Sequence, residues 1–220
     1  MLVTAFGGGG NSAATLSALG GPSRLLPAEP PAPQVISRLG GLQIQLPVNQ
    51  TRVTAVGYSS GGVGALALVP VGSQANEGLL ERLLHKAVGG GSGSPRWYQL
   101  PGGHGPDTSA LGVGAAPGTD VYSPVDGTIV GISKVVLNGR VYGRRIDIQP
   151  TAAPSLVVSV SRLRPDPSLT VGATLAATRS KLGQVLDLSK VEKQALARYT
   201  NDEGNHVLLE IHPAAMLQGP

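Results

Sequence analysis

The side chains with the widest chemical reach in this sequence are four histidines, His85, His104, His206 and His212, and the acids near them. There is no cysteine, which excludes disulfides, thiolate zinc sites and thiol catalysis. His85 falls near Glu81 on the polar side of a predicted helix and reads as a solvated residue. His206 and Glu210 share one face of a predicted strand with Leu208 between them. His212 lies on the same face but roughly 20 Å further along, too far to share a metal with His206. Ser59-Ser60-Gly61 has no acid–base partner nearby and no Gly-x-Ser-x-Gly elbow, so it reads as a turn. Gly89-Gly90-Gly91 is not followed by Gly-Lys-Ser/Thr, so it is no phosphate cradle. Arg140, Arg144, Arg145, Arg162 and Arg164 sit on strands expected to be neighbours. They are either exposed edge charges that oppose aggregation or a surface for a carboxylate- or phosphate-bearing polymer.

The elements that must position these residues are short. The 220 residues include 32 Gly and 18 Pro, which favours turns and strands over long helices. Lys and Arg number 17 against 13 Asp and Glu, a mild basic bias. With one Trp, five Tyr and one Phe, scattered along the chain, there is no stacking surface for nucleic acid. Residues 1–34 read as a flexible segment. Met1 to Phe6 is a short apolar run without a basic leader, either the trimmed end of a membrane anchor or an unstructured N-terminus. Pro27 to Pro33 reads as an extended spacer.

Residues 35–88 read as a small β-rich unit with one helix. Leu42–Leu46, Val53–Val56 and Ala65–Val69 are predicted strands. The helix is capped by Asn76 and carries an apolar stripe from Leu79 to Ala87. Residues 89–103 read as a Gly/Ser linker. The segment 104–214 is denser in strands, and 215–220 reads as a tail. Asp126-Gly127 and Asn138-Gly139, each between apolar runs, predict two hairpins. Leu156–Val160 and His206–Ile211 are further strands. Ser189 and Glu192 form a capping box for a second helix, to Tyr199.

Four stretches carry a resemblance. Pro117–Val130 is similar to "GTPVYAPADGTVV", Tyr142–Ile148 to "GNYVVI", Val171–Gly183 to "V..GQ.V..GQ.IG", and Gly204–Ile211 to "GPHLHFEI". In this order they resemble lysostaphin-type peptidoglycan endopeptidases, over roughly Ser109 to Pro213. The resemblance implies a mainly β fold. It implies a β-sandwich of duplicated hybrid motif type, here with a β-rich N-terminal extension and two short helices.

It also implies a zinc site, and the residues at its positions depart from the pattern. The family's His-x-x-x-Asp pair falls at Ala110 and Gly114. The closing His-x-His falls at His206 and Leu208, so leucine holds the metal-binding position. An auxiliary histidine falls at Arg162, a fixed positive charge. His206 alone survives, at an auxiliary catalytic position. No metal is therefore expected. The alternative is a zinc endopeptidase with relocated ligands, for which His104, Asp107 and His206 are the candidates. Glu210 matches the family's terminal acid and is expected to hold a structural hydrogen bond. Arg162, Glu210 and Arg144 are the candidate binding residues. The resulting expectation is a non-catalytic, extracytoplasmic binding or scaffolding protein without a cofactor. Its partner would be peptidoglycan or an envelope protein, not nucleic acid.

Overall fold

A computed structural model describes residues 29–75, 95–102 and 104–218. Among these, the chain is built from strands and short 3₁₀ turns, with no α-helix. The fold is mainly β and sandwich-like. The first strands are β1 (Val35–Leu39), β2 (Leu42–Gln45), β3 (Val53–Ser59), β4 (Val69–Pro70) and β5 (Ser73–Gln74). Next come β6 (Arg96–Gln99), β7 (Ala110–Ala115), β8 (Asp120–Tyr122), β9 (Gly127–Leu137) and β10 (Arg140–Pro150). The last are β11 (Leu156–Pro165), β12 (Thr174–Leu175), β13 (Lys181–Val185) and β14 (His206–Pro213).

A three-stranded sheet has the order β2-β1-β4. A second sheet runs β12-β9-β10-β11-β14-β7-β3-β6-β5, with β13 and β8 branching from β11. One apolar cluster joins both sheets. Ile36, Leu42 and Ile44 of the small sheet share it with Leu111, Ile146, Val158, Val160, Leu209 and Ile211 of the large one. Strand alternation explains the selection: in β14, Val207, Leu209 and Ile211 are buried in the cluster, and the residues between them face the other way. The N-terminal strands are thus part of the same core, because β3 pairs with β7 directly.

Several expectations meet a different structure. Asn138-Gly139 turns the β9–β10 hairpin as expected, both residues having positive φ (50° and 74°). Asp126-Gly127 does not make a hairpin. Gly127 lacks the positive φ that a type I′ turn needs. Strand β8 pairs with β13, while β9 pairs with β10 and β12. The Asp126 carboxylate is instead engaged across the fold, accepting from the Ala177 amide at 2.7 Å.

The predicted strand at Ala65–Val69 shrinks to Val69–Pro70. Its amides are spent irregularly, Leu66 on the Ile211 carbonyl and Leu68 on that of Thr108. The expected linker 89–103 yields strand β6 in its described part, where Trp97 meets the Tyr58 ring edge-on at 5.2 Å. The helix expected from Ser189 to Tyr199 is a pair of turns with a 3₁₀ turn at Ala195–Arg198. Extended Gln194 interrupts it. Its buried side-chain amide donates to the Glu192 carbonyl at 2.9 Å, in place of the backbone. Ser189 caps nothing and itself bonds to Asp187.

The described part of the Pro-rich spacer is tied down, with the Gln50 side chain bonding both the amide and the carbonyl of Ala32. The expected tail begins within a 3₁₀ turn, Ala214–Gln218. The anchor or linker before residue 29, the helix at Asn76–Ala87 and His85 lie outside the described residues. Among the described residues no helix is long and apolar enough to cross a membrane.

Candidate functional site

Strand alternation and register define the floor of one cleft. In β14, His206, Leu208 and Glu210 point away from the core. Antiparallel pairing with β7 sets His206 opposite Gly114, Leu208 opposite Gly112 and Glu210 opposite Ala110. On the other side β11 contributes Ser161 opposite Leu208 and Ser159 opposite Glu210. Because β7 carries only Ala and Gly at these positions, space remains above the sheet. The cleft holds about 290 Å³ and is also lined by Ser60, Gly61, Leu100, Arg162, Glu192 and Gln194. The structure therefore brings Arg162, His206 and Glu210 together.

Arg162 stands where β11 changes partners. Ser161 is the last residue opposite β14, and Leu163 already pairs with Val185 of β13. At the fork Arg162 adopts φ 63°, in the left-handed region that a long L side chain seldom occupies. The twist lets Leu163 return to the core while the guanidinium reaches into the cleft. There Nη1 pairs with Glu192 Oε1 at 2.5 Å and donates to Gln194 Oε1 at 2.9 Å.

His206 is buried, and its Nδ1 lies 2.9 Å from the Gly204 carbonyl oxygen. That contact assigns the ring proton to Nδ1 and makes Nε2 the acceptor. Burial, then the charge of Arg162, pushes the imidazole pKa down to about 4. The ring is neutral at physiological pH.

Glu210 is pinned by the loop that follows β3. The Gly62 amide donates to its Oε1 at 2.7 Å, and His212 Nε2 lies 3.7 Å from Oε2. His212 holds the carboxyl below its usual range; burial opposes this and the Gly62 amide assists. Gly61 must be glycine for this approach, since a Cβ there would sit 2.8 Å from Glu210 Oε1. The Gly61 amide is itself satisfied by the buried Ser109 hydroxyl at 2.7 Å.

The arginines do not converge. Arg145 pairs with Asp147, which also accepts from Ser159 at 2.6 Å. Arg164 bonds Gln184. Arg144 lies across from Lys134 in the β9–β10 hairpin and does not line the cleft. His104 and Asp107 belong to a separate loop. The His104 amide contacts the Gly61 carbonyl at 3.4 Å, and Asp107 Oδ1 accepts from Ser60 at 3.3 Å. Asp107 lines a different depression with Gln74, Gln99 and Pro101, and neither residue lines the cleft of His206.

The residues present do not fit zinc. Ala110, Gly114 and Leu208 offer no donor, and Arg162 holds a fixed positive charge over His206. Position 114 also has no room for a ligating side chain. A Cβ there would come within 2.6 Å of Thr54 Oγ1 and 3.2 Å of the Ala55 carbonyl. Among the described residues no three His, Asp or Glu side chains gather to hold a metal ion.

Sequence reading missed Glu192, Gln194 and the Gly61-Gly62 clasp. Its local pattern makes Glu192 part of a helix cap, and nothing local connects it with Arg162, thirty residues away. The adjacent pair of glycines was the one legible signal. No known family model and no curated protein sequence matches this chain.

Proposed function

We propose that this chain is a non-catalytic binding or scaffolding protein of the cell envelope, extracytoplasmic, on a lysostaphin-type, duplicated-hybrid-motif β-sandwich. The single observation that carries this reading is the cleft over His206. It lies over β14, whose sequence resembles the closing segment of that family, and β7, on which the family's first pair of ligand positions falls. Ala110 and Leu208 line it at two of the ligand positions, Gly114 holds the third on β7 opposite His206, and Arg162 reaches into the cleft. A groove with its walls in place and a cation in place of donors is suited to holding an anionic or peptide group without cleaving it. Peptidoglycan or an envelope protein is the proposed partner.

The test is retention on purified cell-wall sacculi. Wild-type protein is expected to sediment with the sacculi without releasing soluble fragments, and Arg162→Gln to be retained less. Two outcomes overturn the reading. One is no retention on sacculi and no partner cross-linked in envelope extracts. The other is chelator-sensitive wall hydrolysis by protein that carries stoichiometric zinc, which would favour relocated ligands.

A further inference from the structure

We propose that the cleft over His206 is a carboxylate site already filled from within: the Glu192 side chain occupies Arg162, and an incoming carboxylate must displace it. This rests on the reading of the cleft as a binding groove and names its ligand class.

Three observations support it. First, Arg162 is placed there at a conformational cost. An arginine at φ 63° persists only where its surroundings hold it, and such strain gathers at ligand sites. Second, the contacts of the guanidinium with Glu192 and Gln194 gather on one nitrogen of its fork, Nη1. A carboxylate binding two nitrogens of the fork would make the geometry that arginine favours.

Third, the segment carrying Glu192 is held by contacts other than those of the Glu192 side chain, among them the Glu192 amide on the Leu188 carbonyl at 3.0 Å and the buried Gln194 side chain. At one end the Leu188 amide bonds the buried Asn205 side chain at 2.9 Å. At the other, Leu196 is fully buried and Tyr199 stacks on Tyr98 at 4.4 Å between ring centres. Between them, the Glu192 side chain is 35% exposed and engages the cleft through polar contacts. It can swing out without unpacking either anchor.

The remaining walls define what can enter. Leu100, Ala110, Gly112 and Leu208 are apolar or small, His206 is neutral, and the other charges on the wall are Lys193 and the Glu210 carboxylate, which the Gly62 amide and His212 already engage. A volume of about 290 Å³ admits a short segment such as the end of a peptide. The ligand class is therefore a small apolar chain end bearing a free carboxylate.

The probe is N-acetyl-alanyl-alanine, compared with its C-terminal amide, titrated into the full chain by calorimetry. Glu192→Gln keeps a hydrogen-bonding side chain and removes the competing charge. It is expected to bind the acid about tenfold more tightly than wild type does, the size of one charge-assisted hydrogen bond. The amide is expected to bind neither protein measurably. Arg162→Gln in the Glu192→Gln background is expected to lose the acid. Far-ultraviolet dichroism and a thermal melt check that each variant is folded, and the acid–amide comparison on one protein needs no folding control. Equal binding of acid and amide, or no gain from Glu192→Gln, overturns the proposal. Loss of sacculus retention with acid–amide discrimination intact would instead sink the functional reading and leave the carboxylate site standing.

Discussion

Gly114→Ala tests why the cleft floor cannot carry a metal ligand. Strand β3 has a bulge between Val53 and Val56, so Thr54 and Ala55 together face Gly114 on β7. A methyl group on residue 114 would lie 2.6 Å from Thr54 Oγ1, and 3.2 Å and 3.3 Å from the Ala55 carbonyl oxygen and amide nitrogen. Thr54 is β-branched and yields only by leaving its rotamer, at about 0.5–1.5 kcal/mol. Spreading the bulge adds overpacking strain of about 1–3 kcal/mol. Lower entropy of the unfolded chain returns about 0.4–1 kcal/mol. The net expectation is a loss of about 2 kcal/mol, or roughly 4–8 °C in melting temperature for a chain of this size.

The assay is urea unfolding followed by fluorescence of Trp97, the sole tryptophan, which packs against Tyr58. An unchanged slope with a lower midpoint is the expected form. Thr54→Ala alone should be nearly neutral, since Thr54 is exposed. The double variant should recover about 1 kcal/mol and no more, because the closest contact has gone while the Ala55 contacts remain. Gly114→Asp, the change that would rebuild a ligand, should cost more than Gly114→Ala by also placing a charge there. Wild-type stability in Gly114→Ala, or no relief from Thr54→Ala, would refute this account of the floor.

Two further expectations follow from single buried groups. The His206 pKa is near 4 in the folded state and about 6.5 in the unfolded chain. Protons therefore bind the unfolded state preferentially between those values, and stability falls as pH drops through that window. From pH 7 to pH 5 this one group should remove about 2 kcal/mol. Urea midpoints for wild type and His206→Gln should show the difference, and identical pH slopes in the two proteins would contradict it. Tyr58 is fully buried, donates to the Ile36 carbonyl at 2.7 Å and has its pKa raised to about 12 by burial. Tyr58→Phe removes this bond while the Ile36 carbonyl keeps the one from the Val71 amide, and should cost about 0.5–1.5 kcal/mol in the same unfolding assay; a neutral result would contradict the bond.

Local pattern carried much of the fold. The alternation in Leu42–Leu46 and His206–Ile211 follows from one residue in two meeting the core, and each became a strand; Val53–Val56 became one as well, with a bulge in place of alternation. Asn138-Gly139 became a hairpin because both residues tolerate positive φ. Asp126-Gly127 has the same local chemistry, yet β8 and β9 take different partners, as pairing is decided by strands distant in sequence. The capping box at Ser189 failed for a similar reason: burying Gln194 beside Arg162 outweighed a helix propensity worth tenths of a kcal/mol per residue.

The amino-acid sequence by itself determined a mainly β chain, the absence of thiol chemistry, and the residue types at Ala110, Gly114, Arg162, His206 and Leu208. Those are properties of composition and of contacts a few residues long. Only the tertiary structure decided that Arg162, His206 and Glu210 share a cleft, that Arg144, His104 and Asp107 do not line it, and that Glu192 pairs with Arg162 there. These outcomes depend on cross-strand register, on the fork in β11 and on the path of a turn-rich segment. Each is set by which distant side chains pack together, and no short-range pattern encodes that.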